Sequence, residues 1–437
     1  MKKFIILSAL CTAMLTLSAG KIPAKPAVKA QKTFTEDIKV SADKIEAKCG
    51  DKITFTIQLS GKNIAKRAVV IELDGNAKIR KKKLYTTDDA GLIKIETASD
   101  RPGMVYCRAV IKGQPDKRKS NAGVAVDKFK VTSSRPCPAD FNTYWDKIKA
   151  DIDKRPMDAI LTPEPVKNKS LKAFKVILPM GGDGKDGYGK LSYPANAKPK
   201  SLPAFLLVHG AGTGMVSVKE DWTTIGGGVI MLSLSPMPAD SKGGVYHARQ
   251  GRFAGYRHWN ADNRDKIFFN MMFQRVYRAL QYLKSRPEWD GKTLIVYGVS
   301  QGGGQALAAG GLEPAISMIV AHVPALCFHS GNAEGGTSGW PHYFQIPTYK
   351  KNKNAVLEAT AYIDGVNFAR NIRKPRVLVT TGFVDFTCPS ESVFAAFNNI
   401  PSADKKIICT PTANHRVPNP VRKISLDAIA DHIKSQR

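Results

Sequence analysis

Gly298-Val299-Ser300-Gln301-Gly302-Gly303 places a serine in a G-x-S-x-G frame. An apolar run, Thr293 to Tyr297, precedes it, and a small-residue helical stretch from Gly304 to Gly310 follows. That strand-turn-helix setting is what a nucleophile elbow needs, because a sharp turn lifts the hydroxyl above a sheet and flanking side chains would collide with neighbouring backbone. A serine hydroxyl is a weak nucleophile until an imidazole takes its proton and a carboxylate holds that imidazole in the correct tautomer. On this kind of scaffold the partners come in the order Ser, Asp or Glu, His, each in the loop after a later strand. Asp385 follows an expected strand, Arg376 to Thr381, through Gly382-Phe383-Val384. His415 follows an expected strand, Lys406 to Thr410, and precedes the last helical stretch. Of eight histidines only His415 and His432 lie beyond Asp385, and His432 falls within that helix. Two other acids compete with Asp385: Asp364 precedes the strand, and Glu391 falls in the helix after it. Acyl transfer also needs backbone donors for an oxyanion. Gln301 supplies one and Ala211 the other, at the end of Ala204-Phe205-Leu206-Leu207-Val208-His209-Gly210-Ala211-Gly212. His209 reads as a structural histidine that orients this loop.

These residues have to be carried by a sheet. Beyond Pro138 the apolar runs Ala204 to Val208, Val229 to Leu234, Thr293 to Tyr297, Ser317 to Ala321, Arg376 to Thr381 and Lys406 to Thr410 alternate with helical stretches. The helices are expected at Ala139 to Ile152, Asp265 to Lys284, Gly304 to Gly310, Ser390 to Phe397 and Lys423 to Lys434. Strands alternating with helices make a mostly parallel sheet covered on both faces. The expected fold class is α/β, an α/β-hydrolase domain over residues 138–437. From Thr33 to Val131 the pattern changes to short runs of period two, such as Ile53-Thr54-Phe55-Thr56-Ile57, broken by Gly61, Asp74-Gly75 and Gly91. This predicts a small all-β sandwich over residues 33–131. It holds no cluster of chemistry-bearing side chains and reads as structural or as a binding module.

On these residues the catalytic part resembles the acetyl xylan esterase and cephalosporin C deacetylase family of α/β-hydrolases, over roughly Pro138 to Arg437. The resemblance rests on the helix with Phe141 and Trp145, the His209-Gly210 loop, Arg249-Gln250-Gly251, the serine motif, and Gly382-Phe383-Val384-Asp385 with Cys388-Pro389. It implies removal of acetyl groups from sugars by a triad, here Ser300, Asp385 and His415, and an acetylated carbohydrate as partner. The family's Arg-Gly-Gln order is changed to Arg249-Gln250-Gly251, and its His-Glu pair is His415-Arg416 here. Family members form oligomers, so a homo-oligomer is implied as well. A serine peptidase on the same fold and a noncatalytic carbohydrate-binding protein remain the competing readings. The segment Cys327 to Ala369, with Trp340, His342, Tyr343 and Phe344, reads either as the wall of an acyl pocket or as ordinary packing.

Composition narrows the setting. The 437 residues carry 43% hydrophobic side chains, enough for a sizeable core, and 66 Lys and Arg against 37 Asp and Glu, a formal charge of +29. Basic runs at Arg80-Lys81-Lys82-Lys83 and Lys117-Arg118-Lys119 are expected in solvated turns, with an anionic polymer or cell surface as the sharper alternative. No groove-reading motif or aromatic RNA platform is visible, so nucleic acid is not expected as a partner. Met1-Lys2-Lys3, an apolar run from Phe4 to Leu17, and Ser18-Ala19-Gly20 read as a signal peptide over residues 1–20. That run is shorter than the roughly 20 residues of a membrane span. The expected location is periplasmic or secreted. Seven cysteines show no CxxC or zinc-ligand spacing, no metal or organic cofactor is expected, and the one bridge suggested is Cys49 to Cys107.

Overall fold

A computed structural model describes residues 35–76, 82–212 and 216–437. The signal peptide expected over residues 1–20, together with Arg80 and Lys81, lies outside the described residues. Glu36–Arg437 forms one compact unit.

The N-terminal part is built from β1 (Glu36–Ala42), β2 (Glu46–Ala47), β3 (Ile53–Gly61), β4 (Ala68–Gly75), β5 (Lys82–Thr86), β6 (Leu92–Thr97), β7 (Gly103–Ile111) and β8 (Ser120–Val126). They form one sheet in the order β1-β3-β6 and another in the order β2-β8-β7-β4-β5. Successive strand residues point to opposite faces. Ile53, Phe55, Ile57 and Leu59 of β3 therefore meet Val69 and Ile71 of β4 and Val105 and Cys107 of β7 in a shared apolar core, as in a sandwich. β7 is buried on its other face too, where Met104 and Tyr106 join the core of the catalytic sheet. Lys82 and Lys83 open β5, the edge strand, and do not occupy a turn. Charge on an edge strand stays solvated and discourages pairing with another chain.

The catalytic sheet adds β9 (Ile160–Pro163), β10 (Leu171–Leu178), β11 (Gly187–Pro194), β12 (Leu202–Val208), β13 (Ile230–Leu234), β14 (Trp289–Val299), β15 (Met318–His322), β16 (Arg376–Gly382) and β17 (Lys405–Thr410). Their order is β17-β16-β15-β14-β12-β13-β11-β10-β9. β12 to β17 are parallel, while β9 to β11 are antiparallel. Sequence reading missed these three: lysines interrupt the apolar residues of β10 and β11, and β9 is only four exposed residues. Along β12, Leu206 and Val208 pack with Val276 and Leu280 of the helix Phe268–Ser285. The alternate residues Phe205 and Leu207 pack with Ile429 and Ile433 of the helix Asn419–Gln436. Chain order reverses direction between β14, β12 and β13, and the crevice above such a switch point is where open α/β sheets bind ligands.

The suggested Cys49–Cys107 bridge is not formed; both are free thiols. Cys107 pairs across to Ala122 of β8, whereas Ala47 of β2 pairs with Val126, and Cys49 lies beyond it, its N–H on Asp127. Four positions along a strand are about 13 Å, and a disulfide needs Cα atoms within about 7 Å. Thiol titration of the unreduced, denatured protein should count Cys49, Cys107, Cys137, Cys327, Cys388 and Cys409 all as free. A Cys49–Cys107 cross-linked peptide in the unreduced digest would contradict this arrangement.

Candidate active site

Ser300 stands where β14 ends, with φ 60° and ψ −121°. A non-glycine residue in such a region costs on the order of 1–3 kcal/mol, held only if its surroundings over-determine it. Here they do. Its N–H donates to the carbonyl of His322 at 2.9 Å, and its own carbonyl accepts from Ala325 at 2.9 Å and Gly304 at 3.1 Å. The glycines are required by close approach: a Cβ on Gly298 would lie 2.1 Å from the Gly302 carbonyl oxygen, and one on Gly302 2.4 Å from that of Val208. The helix Gln301–Leu312 starts at once, setting the positive end of its dipole below the hydroxyl.

The three expected residues meet. His415 Nε2 is 2.9 Å from Ser300 Oγ, and its Nδ1 is 2.8 Å from Asp385 Oδ2. Asp385 is fully buried, and its Oδ1 accepts from the N–H groups of Thr387 and Cys388, both at 2.9 Å. Three donors offset the cost of removing the carboxylate from water. The rivals are employed elsewhere. Asp364 accepts from the backbone of Phe328, His329 and Val366, holding the loop after β15, and burial pushes its pKa up to about 6. Glu391 lies on the helix Ser390–Asn398 beside Gly336. His432 bonds Ser317 at 2.9 Å.

The loop after β12 lies against the elbow: a Cβ on Gly210 would sit 3.4 Å from the Val299 carbonyl oxygen and 3.9 Å from Ser300 Cβ. His209 anchors it, with Nε2 2.7 Å from Ser233 Oγ and its carbonyl accepting from Gln305 at 2.9 Å. Burial, helped by the charge of Lys219, pushes its pKa down to about 4. Gln301 is fully buried, and its side-chain oxygen accepts from Tyr256 at 2.5 Å. Ala211 is exposed and borders a cavity of about 330 Å³ with Gly212, Arg249, Tyr256, His258 and Trp340. Arg249 of the reordered motif reaches this loop; a Cβ on Gly212 would lie 3.4 Å from its guanidinium. A larger cavity, about 790 Å³, lies among Cys137, Arg264, Tyr362 and Asp364, and none of Ser300, Asp385 and His415 lines it. Among the described residues no group of three or more His, Cys, Asp or Glu side chains could hold a metal ion.

Two contacts escaped sequence reading. The buried Cys388 thiol lies within hydrogen-bonding reach of the Ser300 side chain and of Trp340 backbone, and burial holds its pKa well above the usual range. The signal for it was its place three residues after Asp385, on a loop that must fold back. The His342 ring lies by the backbone of Thr387 and Ser338 and feels Asp385, while burial lowers its pKa. Within the inserted segment Trp340 borders the pocket, whereas Tyr343 is buried against His329 and Tyr349.

Residues 124–427 match the acetyl xylan esterase (AXE1) family. The chain belongs to that family. It is therefore a carboxylic ester hydrolase. A curated relative, acetyl esterase Axe7A of Xylanibacter ruminicola, is 29% identical over 326 residues, 72% of this chain and 71% of its own. Among solved structures, an acetyl xylan esterase from Paenibacillus sp. R4 superposes with a TM-score of 0.60 at 24% identity, over 70% of this chain and 98% of its own. Acetyl xylan esterase 1 from Thermoanaerobacterium sp. JW/SL YS485 gives 0.57 at 23% identity, over 70% and 97%. These two likenesses show a shared α/β-hydrolase fold.

Buried histidines around this esterase's site weaken its fold in acid, an effect in part offset by the raised carboxyl pKa of Asp364. His322 and His329 are 0% and 2% exposed, and burial pushes their pKa values down to about 4 and about 3. The unfolded chain takes up these protons near pH 6.5 and the folded chain does not, so their stability contribution is complete above that pH. It is lost as pH falls toward 4, at up to about 1.4 kcal/mol per pH unit for each imidazole. The melting temperature should therefore drop between pH 7 and pH 5, and drop less steeply in His322→Asn. An unchanged slope in that variant would contradict the assignment.

Proposed function

We propose that this esterase is exported and removes acetyl groups from O-acetylated sugars or xylan-like polysaccharides through an acetyl-enzyme on Ser300. The observation that carries the reading is the continuous Asp385–His415–Ser300 chain, with links of 2.8 and 2.9 Å, in a family of acetyl xylan esterases. Ser300 Oγ attacks the ester carbonyl while His415 Nε2 takes its proton, and Asp385 holds the ring through Nδ1. The N–H groups of Gln301 and Ala211 stabilise the tetrahedral oxyanion, where preorganised donors contribute most. The intermediate collapses as His415 returns the proton to the sugar oxygen, which leaves as an alcohol. Water, deprotonated by the same imidazole, then attacks the acetyl-serine and acetate is released.

A short acyl group agrees with the relative that is 29% identical, an acetyl esterase. The N-terminal basic, apolar and small-residue pattern supports export, and no described helix is long and apolar enough to cross a membrane.

The protein lacking residues 1–20 should hydrolyse a chromogenic acetate ester, the butyrate more slowly, and a peptide anilide not at all. Ser300→Ala and His415→Ala should each lower acetate turnover by about a thousandfold or more. Full activity in Ser300→Ala would overturn the mechanism, and faster turnover of the anilide would favour a peptidase.

A further inference from the structure

The match to the esterase family begins at residue 124, so most of the N-terminal sandwich lies outside it. Yet β7 and β8 touch the loop that carries Asp385. Tyr106, 2% exposed, meets the Phe386 ring edge to face, with centroids 5.1 Å apart and planes at 65°. The Arg108 guanidinium lies 3.9 Å from the centre of the same ring and is itself paired with Asp74 of β4. On β8, Gly123 comes so close beneath Phe383 that a Cβ would lie 2.4 Å from its carbonyl oxygen and 3.2 Å from the Tyr106 ring. Phe383 and Phe386 bracket Asp385 in sequence.

From the other side the loop is tied to the catalytic domain. Phe383 and Val384 donate to the carbonyls of Thr410 and Ala413, both at 3.1 Å, on the segment leading to His415. Asp385 N–H closes a turn onto Gly382 at 3.0 Å. Those bonds fix the loop toward His415, while the aromatic, cationic and glycine contacts from the sandwich fix it from behind. Edge-to-face and cation–π contacts are directional, so they hold the Phe386 ring in one place as well as bury it.

We propose that Tyr106, Arg108 and Gly123 are positioning residues for the esterase reaction. Through Phe386 and Phe383 they set Asp385 against His415 Nδ1, and the sandwich is thereby a part of the catalytic unit, not a tethered module for binding substrate. The inference rests on the triad reading above. A carboxylate displaced by a fraction of an ångström orients the imidazole poorly, and small misplacements of catalytic groups cost up to about a hundredfold in rate.

The test uses the whole protein lacking residues 1–20, with active serines counted by a fluorophosphonate so that rates are expressed per competent site. In Tyr106→Ala and Arg108→Ala, kcat on the chromogenic acetate should fall about tenfold with KM changed less than about twofold. Tyr106→Phe, which keeps the ring, should stay within about twofold of wild type; the Tyr106 hydroxyl has no hydrogen-bond partner among the described residues. Arg101→Ala should also stay within that range. Arg101 docks the sandwich elsewhere, on the carbonyls of Glu334 and Gly335, and does not touch the acid loop. Unchanged kcat per titrated serine in Arg108→Ala, which probes the clamp even if Tyr106→Ala fails to fold, would overturn the inference. A rise in KM at constant kcat, or an equal fall in Arg101→Ala, would overturn it too. Failure of the triad reading itself would show separately, as turnover persisting in Ser300→Ala.

Discussion

The left-handed turn at Ser300 is the constraint to which the rest of the site answers. A side chain there is strained, and the strain is tolerated only because β15, the loop after it and the elbow helix grip the residue on both its N–H and its carbonyl. The grip demands glycine at 298 and 302, where any Cβ would strike backbone oxygen at 2.1 and 2.4 Å. It also places the hydroxyl at the C-terminal ends of parallel strands, where the loops after β12, β16 and β17 converge. Ala211, Asp385 and His415 each arrive from one of those loops, and each loop is pinned by bonds within the protein.

Two buried carboxylates illustrate how environment divides labour. Asp385 spends one oxygen on two backbone N–H groups and keeps the other for His415. Asp364 spends both on backbone, leaving nothing for chemistry, and shapes the loop that includes Phe328 and His329. The same logic separates the histidines. His209, His322 and His329 are desolvated and held neutral as packing groups, while His415 keeps about a quarter of its side chain accessible, with Nε2 2.9 Å from the Ser300 hydroxyl.

Much of the catalytic domain was legible because buried parallel strands read as unbroken apolar runs, and because triad order along the chain leaves few candidates after Ser300. Asp385 and His415 were reachable by that order together with their places in the loops after expected strands, which set aside Asp364, Glu391 and His432. β9 to β11 were not, since lysines in β10 and β11 hide their period and β9 is four exposed residues with no buried face. The Cys49–Cys107 pairing failed because membership of one domain says nothing about register; the two residues stand beside opposite ends of β8, near Asp127 and Ala122. The docking of the sandwich was invisible for a related reason. Met104, Tyr106 and Arg108 alternate with Val105 and Cys107, so β7 carries two packing faces, and sequence alone does not say what the second one meets. The contact of Cys388 with Ser300 was hinted at only by the place of Cys388 three residues after Asp385; that the thiol reaches the serine depends on how the loop folds back.

The central claim is that ester cleavage passes through an acetyl group on Ser300. Its most direct test is to mix the enzyme with excess acetate ester, quench in acid within the first turnovers and map the digest by mass spectrometry. The account predicts one acetyl group on the peptide containing Gly298-Val299-Ser300-Gln301, appearing with the first equivalent of alcohol and vanishing as acetate is released. Alcohol released at the full rate with no acetyl on that peptide, or acetyl on another residue, would contradict it.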